Sequence, residues 1–247
     1  MTVDCADRPG LASGEIHVWA ARLSDDHYAI SDSLLLLCAE ERARAAQFAF
    51  AQDRVRFIQT HGIVRRILAD YCGADGATLG FASNRHGKPY LIPQAAHPNL
   101  QFSVSRSSDW CVLAVQCDHA VGVDVEKLRE LPQAMDIVQS YFTRAETRAL
   151  ASLPEAAQRD AFFVLWTHKE AIVKGLGTSL AAHLGRLEFE RDRTGQLRLA
   201  AWDGDRSIAQ SWSTVRVDPE PGYVAAIASN YPIRSLTLQN WNCTDAN

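Results

Sequence analysis

Polar and apolar residues alternate along residues 15–23 (EIHVWAARL), which predicts a strand. The period then changes to three and four. Asp32 stands where it would cap a helix running to about Phe50. A second helix is predicted over roughly 53–72, with Phe57, Ile58, Ile63, Val64, Ile67 and Leu68 on its core face. Gly73 to Gly76 reads as a turn, and residues 83–89 (SNRHGKP) as a second, polar turn. Strands are predicted at about 100–104, 110–117 and 120–126 (AVGVDVE). Beyond Pro132 the pattern gives a short helix near 133–140. Thr143-Arg144-Ala145-Glu146 has capping-box spacing and starts another helix. A long helix covers about 155–175 and stops at Gly175 and Gly177, and the tail reads as strands at 186–191, 196–201, 210–217 and 223–229.

Strand and helices, then strands, then helices, then strands: this order predicts an α+β chain of two α/β halves, 1–118 and 119–247. No exact internal repeat is visible in the sequence. No low-complexity linker separates the halves, so they are expected to pack as one unit. The 247 residues, 47% hydrophobic and 22% charged, suffice for a sizeable core. A net charge of −4 gives no general attraction for nucleic acid or an anionic membrane, so an anion site must come from local clustering. The longest apolar run, Leu34 to Ala39, is too short to span a bilayer. Residues 1–4 show no start of a secretory signal. Six cysteines, at 5, 38, 72, 111, 117 and 243, include no pair with the two-residue gap of a zinc or redox motif. They read as reduced thiols of a cytoplasmic protein, with Cys111 and Cys117 as small core residues on strands.

Three carboxylates carry the candidate chemistry. Asp124 and Glu126 flank Val125 within an apolar run, so on a strand both project to one face, while Val121, Val123 and Val125 face the other. Two like charges this close call for a positive partner, and a hard divalent cation such as magnesium is one answer. A half-exposed strand with two solvated acids is the other. Glu170 falls on the same helix side as Phe163, Trp166, Thr167 and Lys174. It pairs either with a ligand or simply with Lys174, four residues on. Arg42, Arg44, Arg54, Arg56, Arg65, Arg66, Arg85, Lys88 and Arg106 concentrate positive charge in the first half. Most belong on solvated helix surfaces, and a few would suffice for a multiply phosphorylated nucleotide. Ser105-Arg106-Ser107, just after the apolar run ending at Val104, suits a phosphate or a plain turn.

These residues also form a known order of motifs. Val121-Gly122-Val123-Asp124-Val125-Glu126-Lys127 resembles the G-[IV]-D-[IV]-E-K signature of the Sfp-type 4′-phosphopantetheinyl transferases. The run from Phe163 through Trp166, Lys169, Glu170 and Lys174 resembles their F-x-x-x-W-[ST]-x-K-E-[AS]-x-x-K signature, and Gly175 to Leu180 continues it. Gly87-Lys88-Pro89, Phe102 to Ser107, and Arg54-x-Arg56-Phe57 are similar to weaker upstream motifs of that family. The resemblance spans roughly residues 40–180.

It implies two similar α/β subdomains related by a pseudo-twofold, with coenzyme A bound between them. It implies holo-acyl-carrier-protein synthase activity on the serine of an acyl or peptidyl carrier protein. Asp124, Glu126 and Glu170 would hold magnesium, with Glu170 and Lys174 acting in catalysis. Lys169 and Lys174 would face the pyrophosphate. Arg56, Ser105 and Arg106 would lie near the nucleotide phosphates, and Gly87, Lys88 and Pro89 near adenine. Arg106 stands where the family usually has histidine, and arginine keeps the charge but cannot shuttle protons near neutral pH. Leu128 to Phe142, with Leu131, Met135, Ile137 and Val138, either docks the carrier or covers the core. A monomer is expected, with no nucleic-acid or membrane partner. Another magnesium-dependent nucleotide phosphotransferase, or a catalytically dead coenzyme A scaffold, is the alternative, although no P-loop or kinase motif is present.

Overall fold

The computed structural model describes residues 11–92 and 99–241. Cys5 and Cys243 lie outside them. The chain begins with β1 (Glu15–Arg22), two short helices α1 (His27–Leu36) and α2 (Ala39–Ala46), and the long helix α3 (Ala51–Cys72). A hairpin follows, β2 (Phe81–Ser83) and β3 (Pro89–Leu91), and then strands β4 (Leu100–Ser107) and β5 (Trp110–Cys117). The order then repeats: β6 (Val121–Lys127), α4 (Ala134–Tyr141), α5 (Arg144–Ala151), the long α6 (Glu155–Leu176), and the hairpin β7 (Leu187–Arg191) and β8 (Leu197–Trp202). A short helix α7 (Arg206–Ala209) precedes β9 (Ser213–Arg216) and β10 (Tyr223–Ser229), and β11 (Ser235–Trp241) ends the described chain.

The repetition extends to pairing. The first strand of each run pairs antiparallel with the last, β1 with β5 and β6 with β10. The sheets have the orders β11-β1-β5-β4 and β6-β10-β9. β11 returns from the C-terminal end to pair parallel with β1, so residues 235–241 join the first sheet rather than the second. Strand alternation sorts side chains into layers. Ile16, Val18, Val112 and Ala114 of the first sheet meet Val121, Val123, Val125, Ala225 and Ile227 of the second, all buried. The outer face of the first sheet packs on α3 through Leu68, Phe102, Leu113 and Val115. That of the second packs on α6 through Phe163, Ile172, Val224 and Ala226. The result is helix, sheet, sheet, helix, an α+β arrangement.

α3 and α6 are both 22 residues long and both end on a left-handed glycine, Gly73 (φ 60°) and Gly177 (φ 65°). Each buries a cation at the same position counted from its first residue. Arg65 donates from Nε to Glu41 Oε2 (2.7 Å) and from Nη1 to the carbonyls of Gly76 and Leu79, with its guanidinium 4.8 Å from the Phe81 ring centre. Lys169 reaches Glu146 Oε2 (2.8 Å) and the carbonyls of Leu184 and Leu187, with Nζ 4.9 Å from the Phe142 ring centre. Both acids accept from the backbone amide that starts a helix, Glu41 from Cys38 and Glu146 from Thr143. Each cation therefore ties its long helix to the helix before it and to the turn after it.

The differences from the sequence reading have local causes. Asp26, not Asp32, caps α1, and the chain breaks at Leu37 and Cys38, so two helices replace the one expected over 32–50. Gly175 stays inside α6, and only Gly177 ends it. The polar turn at 83–89 is the loop of the unforeseen β2–β3 hairpin. Cys111 is buried and Cys117 half-buried, both on β5. Val138 is fully buried, while Leu131, Met135 and Ile137 pack partly buried against the second core, so the 128–142 segment covers the core, with Tyr141 exposed. No described helix is long and apolar enough to cross a membrane.

Gly122 fixes how closely β6 approaches α6. A Cβ there would lie 1.9 Å from the Ala171 carbonyl oxygen and 2.4 Å from the Gly175 nitrogen. Both are backbone atoms, which cannot swing aside. Gly122→Ala should destabilise the fold by about 3 kcal/mol, the upper end for an overpacked core, measured by urea unfolding. A loss under about 0.5 kcal/mol, the level of an ordinary surface change, would contradict this contact.

Candidate functional site

The valines of β6 bury toward the first sheet, which turns Gly122, Asp124 and Glu126 toward α6. One helical turn separates Glu170 from Lys174 and puts both on the α6 side that meets β6. Lys174 Nζ lies 2.5 Å from Asp124 Oδ1 and 3.6 Å from Glu170 Oε2. β4 adds the Ser105 hydroxyl, which donates to Asp124 Oδ1 (2.8 Å) and accepts from Lys174 Nζ (2.8 Å). Ser107 donates to Glu126 Oε2 at 2.8 Å. Asp124 is only 3% exposed, so its charge is well shielded from water.

One ammonium does not balance three carboxylates. Burial, and after it the charge of Asp124, push the Glu170 carboxyl up to about 7. Burial raises Glu126 too, with Ser107 pulling the other way. Burial works against the charge on Lys174, but Asp124, Glu170 and Glu126 together outweigh it and hold the ammonium above its ordinary value. Asp124 Oδ2 is buried without a hydrogen-bond partner. Among the described residues, no three His, Cys, Asp or Glu side chains stand as a metal-ligand set, and Lys174 lies against Asp124. The orphaned oxygen, the surplus negative charge and the all-carboxylate donors nevertheless fit a hard divalent cation.

The structure thus brings Asp124, Glu170, Lys174 and Ser105 into contact, with Glu126 held by Ser107 beside them on the same face of β6. It does not bring Lys169 to them. That ammonium is wholly buried on Glu146 and two carbonyls, so the expectation that it faces a pyrophosphate is corrected: its neighbours are the start of α5 and the turn after α6. Arg106 is exposed, and alternation along β4 points it to the opposite face from Ser105. Arg56 pairs with Asp109 at 2.6 Å and lines a cavity of about 430 Å³ with Arg22, Ser24, Gln52 and Gln59. Gly87 takes φ 86° in the β2–β3 loop, a conformation that favours glycine. Next to it Lys88 donates to the carbonyls of Val121 (3.1 Å) and Gly175 (2.8 Å), and burial lowers its ammonium to about 8. Asn84 donates to the Gly177 carbonyl, so this loop, with Pro89 opening β3, clamps the start of β6 to the end of α6. The sequence reading singled out neither Asn84 nor the Ser107–Glu126 bond. The period-two serines of S-V-S-R-S were the available sign of the second.

The hairpin between β4 and β5 links these places. Ser107 touches Glu126, and two residues on, Asp109 holds Arg56 at the cavity. The chain therefore carries an acidic cluster on one side of this hairpin and, on the other, a polar cavity lined by Arg22 and Arg56 together with Asp25 and Asp109.

Comparison with known proteins agrees. Residues 120–228 match the model of the 4′-phosphopantetheinyl transferase superfamily, and residues 22–118 that of the 4′-phosphopantetheinyl transferase N-terminal region. The chain is 32% identical to the 4′-phosphopantetheinyl transferase HetI of Nostoc sp., across 88% of this chain and 89% of that one. It is 30% identical to a 4′-phosphopantetheinyl transferase of Bacillus subtilis, across 67% and 71%. It is also 30% identical to the human L-aminoadipate-semialdehyde dehydrogenase-phosphopantetheinyl transferase, across 61% of this chain and 52% of that one. With the acidic strand, the Glu170–Lys174 helix and both matched regions in one polypeptide, the chain belongs to the 4′-phosphopantetheinyl transferase superfamily.

Proposed function

We propose that this protein transfers the 4′-phosphopantetheine group of coenzyme A to a serine hydroxyl of an acyl or peptidyl carrier protein and releases 3′,5′-adenosine bisphosphate. One observation carries the reading: in a chain of this family, Asp124 and Glu170 share the Lys174 ammonium, with Glu126 two residues from Asp124 on the same face of β6. Asp124, Glu126 and Glu170 would hold a magnesium ion, which when bound would offset the charge of the diphosphate.

The residues of the chain supply the rest. Asp124 holds Lys174 protonated, and its ammonium offers a positive charge to the diphosphate. Glu170 orients the carrier serine and accepts its proton. The serine oxygen bonds to the β-phosphorus, the bond from that phosphorus to the bridging oxygen breaks, and the electron pair leaves with the adenosine bisphosphate. Arg56 and its cavity receive a nucleotide phosphate, with Arg106 nearby on the same strand as Ser105 as a fixed charge rather than a proton carrier. The Gly87–Pro89 loop lies against adenine through its backbone, because the Lys88 ammonium is already held by two carbonyls. The two halves, the first sheet with its returning strand β11 and the second built on β6 to β10, act as one monomer, which meets its carrier in the cytoplasm.

The test is mass spectrometry of an apo carrier protein after mixing with coenzyme A and magnesium. A gain of about 340 Da, one covalently attached phosphopantetheine arm, is expected. No gain with carriers from both fatty-acid and secondary pathways, alongside hydrolysis of other nucleotides, would favour a different phosphotransferase.

A further inference from the structure

β4 and β6 are edge strands of different sheets and do not pair with each other. An edge strand leaves backbone amides open. Here three serines of β4, spaced by two and pointing to one side, meet that edge. Ser103 Oγ accepts from the Val123 amide (3.1 Å), and Ser107 Oγ accepts from the Lys127 amide (3.1 Å). Between them Ser105 contacts Asp124 and Lys174. Side chains of the first half thus replace a backbone ladder to the second half.

Ser107 does more than satisfy an amide. A hydroxyl has one hydrogen. Because the Lys127 amide donates to Ser107, that hydrogen is free to go to Glu126 Oε2, 2.8 Å away. Glu126 is the least buried acid of the strand pair and has no ammonium at bonding distance, so Ser107 is its one hydrogen-bond partner among the described residues. Ser105 does the same for Asp124, but there Lys174 shares the task.

We propose that Ser107 is a positioning residue that aims the Glu126 carboxylate into the acidic cluster, so that the cation site is completed by a hydroxyl from the other half of the chain. The inference rests on the reading that Asp124, Glu126 and Glu170 hold magnesium. Partners that orient a metal ligand are typically worth about 10–100-fold in metal affinity.

The test uses the full chain with coenzyme A bound. Calorimetric titration with magnesium should show S107A binding the ion about 10–100-fold more weakly than wild type, and S107A should raise the magnesium KM more than it lowers kcat. S107T, which keeps the hydroxyl, should restore both. In an E126Q background, S107A should add no further loss of magnesium affinity. Wild-type magnesium affinity in S107A would overturn the proposal. So would a loss that threonine does not repair, or one that persists in full in the E126Q background, since each marks a structural role only. Wild-type protein that transfers phosphopantetheine yet binds no magnesium would remove the metal reading and this proposal with it, whereas a wild-type protein that binds the ion leaves S107A to decide this proposal alone.

Discussion

Replacing Glu170 by glutamine lowers phosphopantetheine transfer at least about a hundredfold, the low end for loss of a general base. The side chain is half-buried at the α6–β6 contact, yet its partner Lys174 is nearer to Asp124 than to it, at 2.5 Å against 3.6 Å. Glu170 therefore shares its cation with a closer competitor, and burial with the Asp124 charge lifts its carboxyl to about 7. With a cation bound beside it, the carboxylate stays ionised and can take a proton from the carrier serine. Glutamine keeps the shape but neither binds a cation as a carboxylate does nor accepts a proton. The loss should appear in kcat with saturating magnesium and coenzyme A, while the unfolding midpoint holds or rises, because a like charge has been removed from beside Asp124. Near-native turnover would remove Glu170 from the chemistry.

Lys169→Met should destabilise the protein by about 3–5 kcal/mol, the cost of leaving a buried acid without its cation. Glu146 accepts from the Thr143 and Phe189 amides as well as from Lys169, and Lys169 and Glu146 are both buried. Removing the ammonium leaves that carboxylate charged in a dry setting, while replacing both partners, Lys169→Met with Glu146→Leu, should recover part of the loss. Urea unfolding measures both variants. A raised KM for coenzyme A with unchanged stability would instead support the diphosphate role implied by family resemblance.

The contrast between Glu170 and Lys169 shows what the sequence made legible. The period-two spacing of Asp124 and Glu126 and the four-residue spacing of Glu170 and Lys174 placed each pair on one face, and the fold brings those faces together. Helical spacing already separated Lys169 from the side that carries Glu170 and Lys174; its expected place at the pyrophosphate came from the family resemblance, and the fold turns it to the α5 cap instead. The internal repeat was hidden in the sequence. Its two buried cations are different residues, arginine and lysine, and the shared feature is their partners: a capping acid and two turn carbonyls. The same register sets Arg66 and Asp70 on α3 opposite Glu170 and Lys174 on α6. On β1, His17 and Trp19 turn inward to bond the Tyr71 hydroxyl, where β6 carries Gly122 and Asp124. At these matched strand positions only the second half carries an acid, Asp124 where β1 has Trp19. β11 was missed because its burial alternates weakly and its partner, β1, lies at the far end of the chain.

The central claim is that Asp124, Glu126 and Glu170 meet around one divalent ion beside the substrate diphosphate. Anomalous diffraction from crystals grown with coenzyme A and manganese in place of magnesium tests it most directly. The account predicts one manganese peak within roughly 2.0–2.2 Å of oxygens from all three side chains and of the diphosphate, distances typical of an octahedral hard cation. A manganese site that omits Glu170, or coenzyme A bound with its diphosphate away from β6 and α6, would contradict it.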